Sequence, residues 1–270
     1  MKIKKCIKFI TRFLPFLLPG LLGVLVFYIV PFVIGTMLSF RQGAGFGVLN
    51  YQSVLQSKAF QLAVGNTLRL MGVGVPVMLI YGGFLAVGYQ ACLRRGLSGM
   101  RSLFLMHLLP MILPSAVIVF FVQMFLPYSE APQVFWLLTG IFVWKNAPYV
   151  FLALFAGLRN ISEEVYDAAK VDGAGTWKTL RFITVPLLTP YIGIGAVLAV
   201  LGVFRIFRES YLLFGNYPDK SIYLLQNYMN NLFYSLNYGE LAAASNYFLA
   251  GLTVLFLVLL FVFGRGRKNG

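Results

Sequence analysis

Charge is scarce in this chain. Of its 270 residues, 11% are charged and 59% are hydrophobic. A soluble globular domain carries about 25% charge, so that class is excluded. Acidic residues are scarcest, eight in all against 22 lysines and arginines. Cysteine occurs only as Cys6 and Cys92, both expected on the inner side as free thiols, and two isolated cysteines make no metal site. The single histidine, His107, falls near the start of an apolar run, where packing or hydrogen bonding is expected rather than catalysis. So few ionisable groups assemble no catalytic constellation. Gly215–Ser221, GNYPDKS, superficially echoes a phosphate loop, but it has no second glycine before Lys220 and is not set between a strand and a helix. An enzyme is therefore not expected, nor a metal or cofactor site in this chain. The formal charge of +14 does not imply nucleic acid. The basic residues stand beside apolar runs, as membrane topology requires, and there is no RNA-binding aromatic motif or zinc-finger spacing.

What the chain does have is long apolar runs, each able to cross a bilayer core of roughly 30 Å. Six are expected: Leu14–Phe40, Leu62–Gln90, Leu103–Pro127, Val134–Gly157, Pro186–Leu212 and Ala242–Phe263. Leu14–Phe40 is too long for a signal peptide and has no cleavage site. The second run is rich in glycine, at Gly72, Gly74, Gly82, Gly83 and Gly88, as close packing of membrane helices favours. Asn66 and Arg69 near its outer end are expected to snorkel, and Pro110 and Pro114 interrupt the third run. Arg41–Gln61, Tyr128–Gln133 and the Tyr- and Asn-rich Phe214–Leu241 fall outside. This last segment is expected either to receive an external protein or to form an interfacial aromatic belt. Fifteen of the 22 basic residues lie on one side: five before residue 14, three between 91 and 102, four between 159 and 181, and three after 264. Three lie on the other side, which places both termini in the cytoplasm. The fold expected is an all-α integral membrane protein with six transmembrane helices: a segment 1–13, one domain 14–264, and a tail 265–270.

Four of the eight acidic residues gather in Ile161–Pro190, ISEEVYDAAKVDGAGTWKTLRFITVPLLTP. Ser162 is placed as an N-cap, with Glu163, Glu164 and Asp167 at the positive end of the helix dipole. Val165, Ala168, Ala169 and Asp172 recur at i, i+3, i+4 and i+7 on one face. Gly173 is placed to end that helix in a left-handed turn. Trp177, Leu180, Arg181 and Thr184 predict a second short helix, after which Pro186 opens the next run. A solvated loop would meet the topology. A pair of adjacent alanines and a fixed glycine turn point instead to a docking element, because another backbone can come close there.

The run Tyr166-Asp-Ala-Ala-Lys-Val-Asp-Gly-Ala174, followed by Phe182-Ile-Thr-Val-Pro-Leu-Leu188 and Pro190, resembles the EAA loop of binding-protein-dependent ABC importer permeases, in the carbohydrate (maltose-type) branch. Leu49-Asn50-Tyr51, Ala59-Phe60 and Asn66-Thr67-Leu68 resemble the pattern before the second span of that branch. The family's usual first glutamate is Asp167 here, which keeps the charge on a shorter arm. The resemblance implies a type I importer transmembrane domain with a cytoplasmic coupling helix in a loop spanning 159–185. Glu164, Asp167, Ala168, Ala169, Asp172, Gly173 and Ala174 would face a cytoplasmic ATPase. It also implies a sister permease, an ATPase dimer that holds ATP and Mg, an extracytoplasmic solute-binding protein, and a sugar or oligosaccharide as cargo. A polyamine or phosphonate permease is the nearest alternative. An ion-coupled transporter would need acidic residues at mid-span, where only Glu209 qualifies.

Polar groups at membrane depth are costly and usually functional. Lys145, Asn146, Tyr149, Arg205, Arg208, Glu209 and Tyr211 are accordingly the candidates for a translocation path. Arg205 and Glu209, spaced i, i+4, are expected to be able to pair.

Overall fold

The computed structural model describes residues 16–43, 45–126 and 131–264. The expected segment 1–13, the tail 265–270, Cys6 and the first residues of the Tyr128–Gln133 turn lie outside them. The described chain is helical almost throughout. Its helices are α1 (Phe16–Phe40), α2 (Leu49–Gln56), α3 (Lys58–Arg94), α4 (Met100–Ile112), α5 (Ser115–Phe125), α6 (Ala131–Arg159), α7 (Glu163–Val171), α8 (Thr176–Phe214), α9 (Leu225–Tyr234) and α10 (Tyr238–Gly264). One small hairpin pairs β1 (Arg41–Gln42) antiparallel with β2 (Gly45–Phe46). Among the described residues α1, α3, α6, α8 and α10 are long and apolar enough to cross a bilayer, and α4 with α5 makes a bent sixth. Helices prevail because lipid offers the backbone no hydrogen-bond partner, so each segment must satisfy its own.

Two spans depart from the sequence expectation. The third is broken: α4 and α5 meet at 94°. Pro110 is tolerated inside α4, whereas Leu113 and Pro114 are extended, with ψ of 130° and 142°. A residue before proline is pushed out of the helical region, which sets the elbow there. The fifth is longer than Pro186–Leu212. The expected separate helix around Trp177–Thr184 is instead the start of α8, whose helix carries on through a π-helical turn at Leu180–Thr184. Val185 N–H reaches back to Leu180 C=O, so the wider turn accommodates Pro186, which has no N–H to donate.

The chain divides into two compact units. The first joins the residues before Lys58 to Leu232–Leu249. Its centre is a polar knot. Asn246 Nδ2 donates to Tyr51 OH at 2.8 Å and to Ser39 Oγ at 3.1 Å, those two hydroxyls are 2.7 Å apart, and Asn50 Nδ2 donates to Ser39 C=O at 2.9 Å. The Tyr51 and Tyr247 rings meet edge to face at 5.4 Å. In the most apolar windows of α1 and α10 no residue is buried within the chain. Both helices therefore present bare apolar surface to lipid or to another polypeptide.

The second unit joins Lys58–Asn231 to the residues from Ala250. Here α6 packs against both α3 and α8. Phe142 of α6 is fully buried between two glycines. A Cβ at Gly74 of α3 would lie 2.5 Å from Phe142 Cε1, and one at Gly202 of α8 would lie 3.2 Å from Cε2. Small residues thus let three helices close around one ring. Of the glycines noted in the second run, Gly74 and Gly82 make such close approaches, while Gly72 and Gly88 face open space.

Asn66 does not snorkel. It is buried and donates to the Lys220 and Tyr223 carbonyls, while Leu225 N–H donates to Thr67 Oγ1 at 3.0 Å. Arg69 lies 4.0 Å over the Phe135 ring. In the Phe214–Leu241 segment Ile222, Leu224, Asn227 and Tyr228 are buried, while Tyr217, Tyr234 and Tyr238 are exposed. Burial raises the Tyr223 phenol pKa. Hydrogen bonding from Ser221, side chain first and then backbone, holds the Asp219 carboxyl below the usual carboxylate range. His107 packs as expected, its ring 4.8 Å from that of Phe151. Its Nε2 has no hydrogen-bond partner.

Candidate functional site

Two places in the second unit gather the residues singled out by the sequence. The first is α7. Ser162 occupies the N-cap in extended conformation, although its side chain makes no capping bond. Glu163 and Glu164 fill the first turn and Lys170 the last, matching the helix dipole at both ends. The helix stops where Gly173 takes φ +70°. Gly173 N–H bonds to Lys170 C=O at 3.0 Å and Ala174 N–H to Ala169 C=O at 2.9 Å. Those two bonds make a Schellman turn, which fixes the direction in which the chain leaves.

The helix has two faces, set differently from the expected 165/168/169/172 stripe. Tyr166 and Ala169 turn inward and are buried at 8% and 5% exposure. Glu164, Asp167, Ala168 and Val171 lie outward, at i, i+3, i+4 and i+7, with Val171 88% exposed. Asp172 and Gly173 are exposed beyond them, and Ala174 is half-buried. Ala169 thus belongs to the anchoring face and Ala168 to the free one. The reason is Tyr166, whose large ring must be covered and so sets the rotation of the helix. Arg94 at the end of α3 covers it, with Cζ 4.2 Å over the ring, and Nη2 lies 3.1 Å from Glu163 Oε1. Asp167 pairs with Lys170 on the exposed face at 2.7 Å.

The second place is a cavity of about 520 Å³ at the α4–α5 elbow. Lys145, Asn146, Tyr149, Arg205, Arg208 and Glu209 all line it. Six of the seven path candidates are therefore brought together. Tyr211 is not among the lining residues; its ring packs on Phe207 at 5.7 Å. The expected Arg205–Glu209 pairing does not form. Glu209, 1% exposed, instead accepts from the Lys145 ammonium and from Ser115 Oγ at 2.6 Å, and Lys145 Nζ also donates to Ser115 Oγ at 2.9 Å. Ile206, a turn residue with ψ −16°, interrupts the helix between residues 205 and 209. Arg205 rests instead with Cζ 4.7 Å over the Tyr149 ring.

Sequence reasoning singles out neither Arg94 nor Ser115 as a site residue, and it expects an interruption at Pro114 but not a 94° elbow. The signals are an arginine at the end of a span, and a serine directly after the Leu-Pro pair.

The chain has clear relatives. Residues 78–266 match the family described as "Binding-protein-dependent transport system inner membrane component". The chain is 28% identical over 240 residues to the trehalose transport system permease protein SugA of Mycobacterium tuberculosis, covering 83% of this chain and 76% of that one. It is 30% identical over 246 residues to the trehalose/maltose transport system permease protein MalF of Thermococcus litoralis, covering 79% and 82%. Its fold matches a chain of a bacterial ABC transporter involved in the import of the acidic polysaccharide alginate. There the TM-score is 0.80 at 20% identity, over 100% of this chain and 99% of the other. A second alginate ABC transporter structure, in complex with a pentasaccharide-bound periplasmic protein, matches with TM-score 0.71 at 21% identity, over 97% and 96%. The helices, the order of the spans and the match over residues 78–266 lead to one assignment: this chain is a multi-pass membrane protein of the binding-protein-dependent transport system inner membrane component family.

Proposed function

We propose that this chain is one permease subunit of an ATP-driven sugar importer, and that α7 is the element through which a cytoplasmic ATPase drives it. The observation that carries this reading is the outward stripe Glu164, Asp167, Ala168, Val171 on a helix locked at both ends. Arg94 ties its first turn to the transmembrane helix α3, and the Gly173 turn fixes the direction in which the chain runs from its last turn into α8. A push on the stripe is thereby passed to two spans at once, as rigid-body coupling requires. Asp167 supplies a polar anchor, Ala168 admits a close backbone approach, and Ala169 with Gly173 and Ala174 holds the geometry.

The charge asymmetry supports a cytoplasmic side for α7 and both ends of the sequence, where ATP is. ATP and Mg belong to the partner ATPase pair. The bare faces of α1 and α10 suit a sister permease and lipid. The segment from Tyr217 to Tyr238 suits a solute-binding protein outside. The relatives named for trehalose, maltose and alginate favour a saccharide over a polyamine or phosphonate. An ion-coupled transporter is disfavoured because Glu209, the acidic residue at depth, is already held by Lys145 and Ser115.

The test is co-purification of the tagged chain from cells that co-express its neighbouring subunits. The wild type is expected to bring an ATPase with it, and Ala168→Trp to lose it while keeping the sister permease. Equal recovery of the ATPase with Ala168→Trp contradicts the proposal.

A further inference from the structure

We infer that the cavity at the Pro114 elbow is built for a saccharide that carries negative charge, such as a uronate, and that Arg205 and Arg208 are the residues that recognise it. This rests on the sugar-import reading above and narrows its cargo.

The charges around the cavity do not cancel. Four charged side chains line it: Lys145, Arg205, Arg208 and Glu209. Lys145 and Glu209 neutralise each other, and Ser115 bridges them. Glu209 is 1% exposed, its Oε1 is held by both Lys145 and Ser115, and neither arginine lies within ion-pair distance of its carboxylate. Two positive charges remain. Among the described residues neither Arg205 nor Arg208 has an acidic side chain within ion-pair distance. Both are exposed, one on each side of the Ile206 break.

Such charges are expensive inside a membrane unless something answers them. A neutral sugar would not. Its hydroxyls hydrogen-bond to amides and phenols as well as to arginine, so Asn146 and Tyr149 would suffice. A sugar carboxylate answers both guanidinium groups, and the planar fork of arginine binds a carboxylate through two parallel bonds. The Lys145–Glu209–Ser115 group then acts by position. It joins α5, α6 and α8 around the cavity, and it keeps the one acidic residue there from repelling an anionic cargo.

The test uses the complete importer, with its sister permease, ATPase and binding protein, in proteoliposomes. Uptake of trigalacturonate is compared with uptake of maltotriose, a neutral trisaccharide. The expected result is uptake of trigalacturonate in preference to maltotriose. Arg205→Gln and Arg208→Gln should each lower it by about ten- to a hundredfold, the value of one charged hydrogen-bonded contact. Arg208→Lys should recover part of it, and subunit recovery should be unchanged. Preference for maltotriose, or trigalacturonate uptake indifferent to both substitutions, overturns the inference and leaves the sugar-import reading standing. Loss of the sister permease in step with uptake also overturns it, because the arginines would then serve the subunit interface. Uptake of neither saccharide by a complex with active ATPase also overturns the inference, and uptake of neither these nor trehalose overturns the sugar-import reading with it.

Discussion

The guanidinium of Arg94 covers the ring of Tyr166, 4.2 Å from Cζ to the ring centre, and reaches Glu163 at 3.1 Å. One side chain thus holds two residues of α7, three apart, against the end of a transmembrane helix. Arg94→Ala should cost little stability, about 0.5–1 kcal/mol for a partly exposed stacked cation and less for the exposed ion pair. Its effect should be on coupling: uptake falls severalfold while the ATPase still binds and turns over. Parallel assays of uptake and ATP hydrolysis in proteoliposomes check this. Equal loss of both activities would point to misfolding instead.

Gly173 has φ +70° and open space where a Cβ would be. The cost of substitution there is conformational, about 1–2 kcal/mol for an ordinary residue. Gly173→Ala should therefore reduce transport, and Gly173→Asn should reduce it less, since asparagine tolerates the left-handed region. A steric role would give the opposite order, because asparagine is larger. Uptake rates for the two variants decide it.

Glu209 is buried and its partner Lys145 half-buried, with side-chain exposures of 2% and 18%. Removing one partner strands the other charge, at a cost of about 3–5 kcal/mol. Lys145→Met and Glu209→Leu should each destabilise by that order, and the double variant should recover most of it. Thermal unfolding of the four proteins of this cycle in detergent measures the coupling.

Gly74 and Gly72 make a packing control. A Cβ at Gly74 would meet the Phe142 ring at 2.5 Å, whereas nothing lies within 4 Å of one at Gly72. Gly74→Ala should destabilise by about 1–3 kcal/mol through overpacking. Gly72→Ala should be neutral or slightly stabilising, because alanine favours the helix by about 1 kcal/mol. The same unfolding assay separates them.

Much of this arrangement was legible in the sequence because lipid reduces the choices. A run such as Leu62–Gln90 has no option but a helix, and Gly173 after Asp172 is the residue that most readily takes the left-handed turn ending one. The grouping of Lys145, Asn146, Tyr149, Arg205, Arg208 and Glu209 was legible for the same reason, since polar side chains at depth seek one another. Partner choice was not legible. Spacing along one helix joined Arg205 to Glu209, but the break at Ile206 and the elbow at Pro114 bring Lys145 and Ser115 to Glu209. The outward face of α7 was missed by a rotation, because a list of small residues does not reveal that Tyr166 must be covered by Arg94. Asn66 reads as a snorkelling residue in the sequence because its partners, the carbonyls of Lys220 and Tyr223, lie more than 150 positions away.

The most direct measurement of the central claim is the sidedness of α7. With Cys6 and Cys92 replaced by serine, Asp172→Cys is treated with a membrane-impermeant thiol reagent in intact cells and in inside-out vesicles. The account predicts labelling in the inside-out vesicles alone, with protection when the ATPase is bound. Labelling in intact cells would put α7 outside, beyond the reach of any ATPase, and would contradict it.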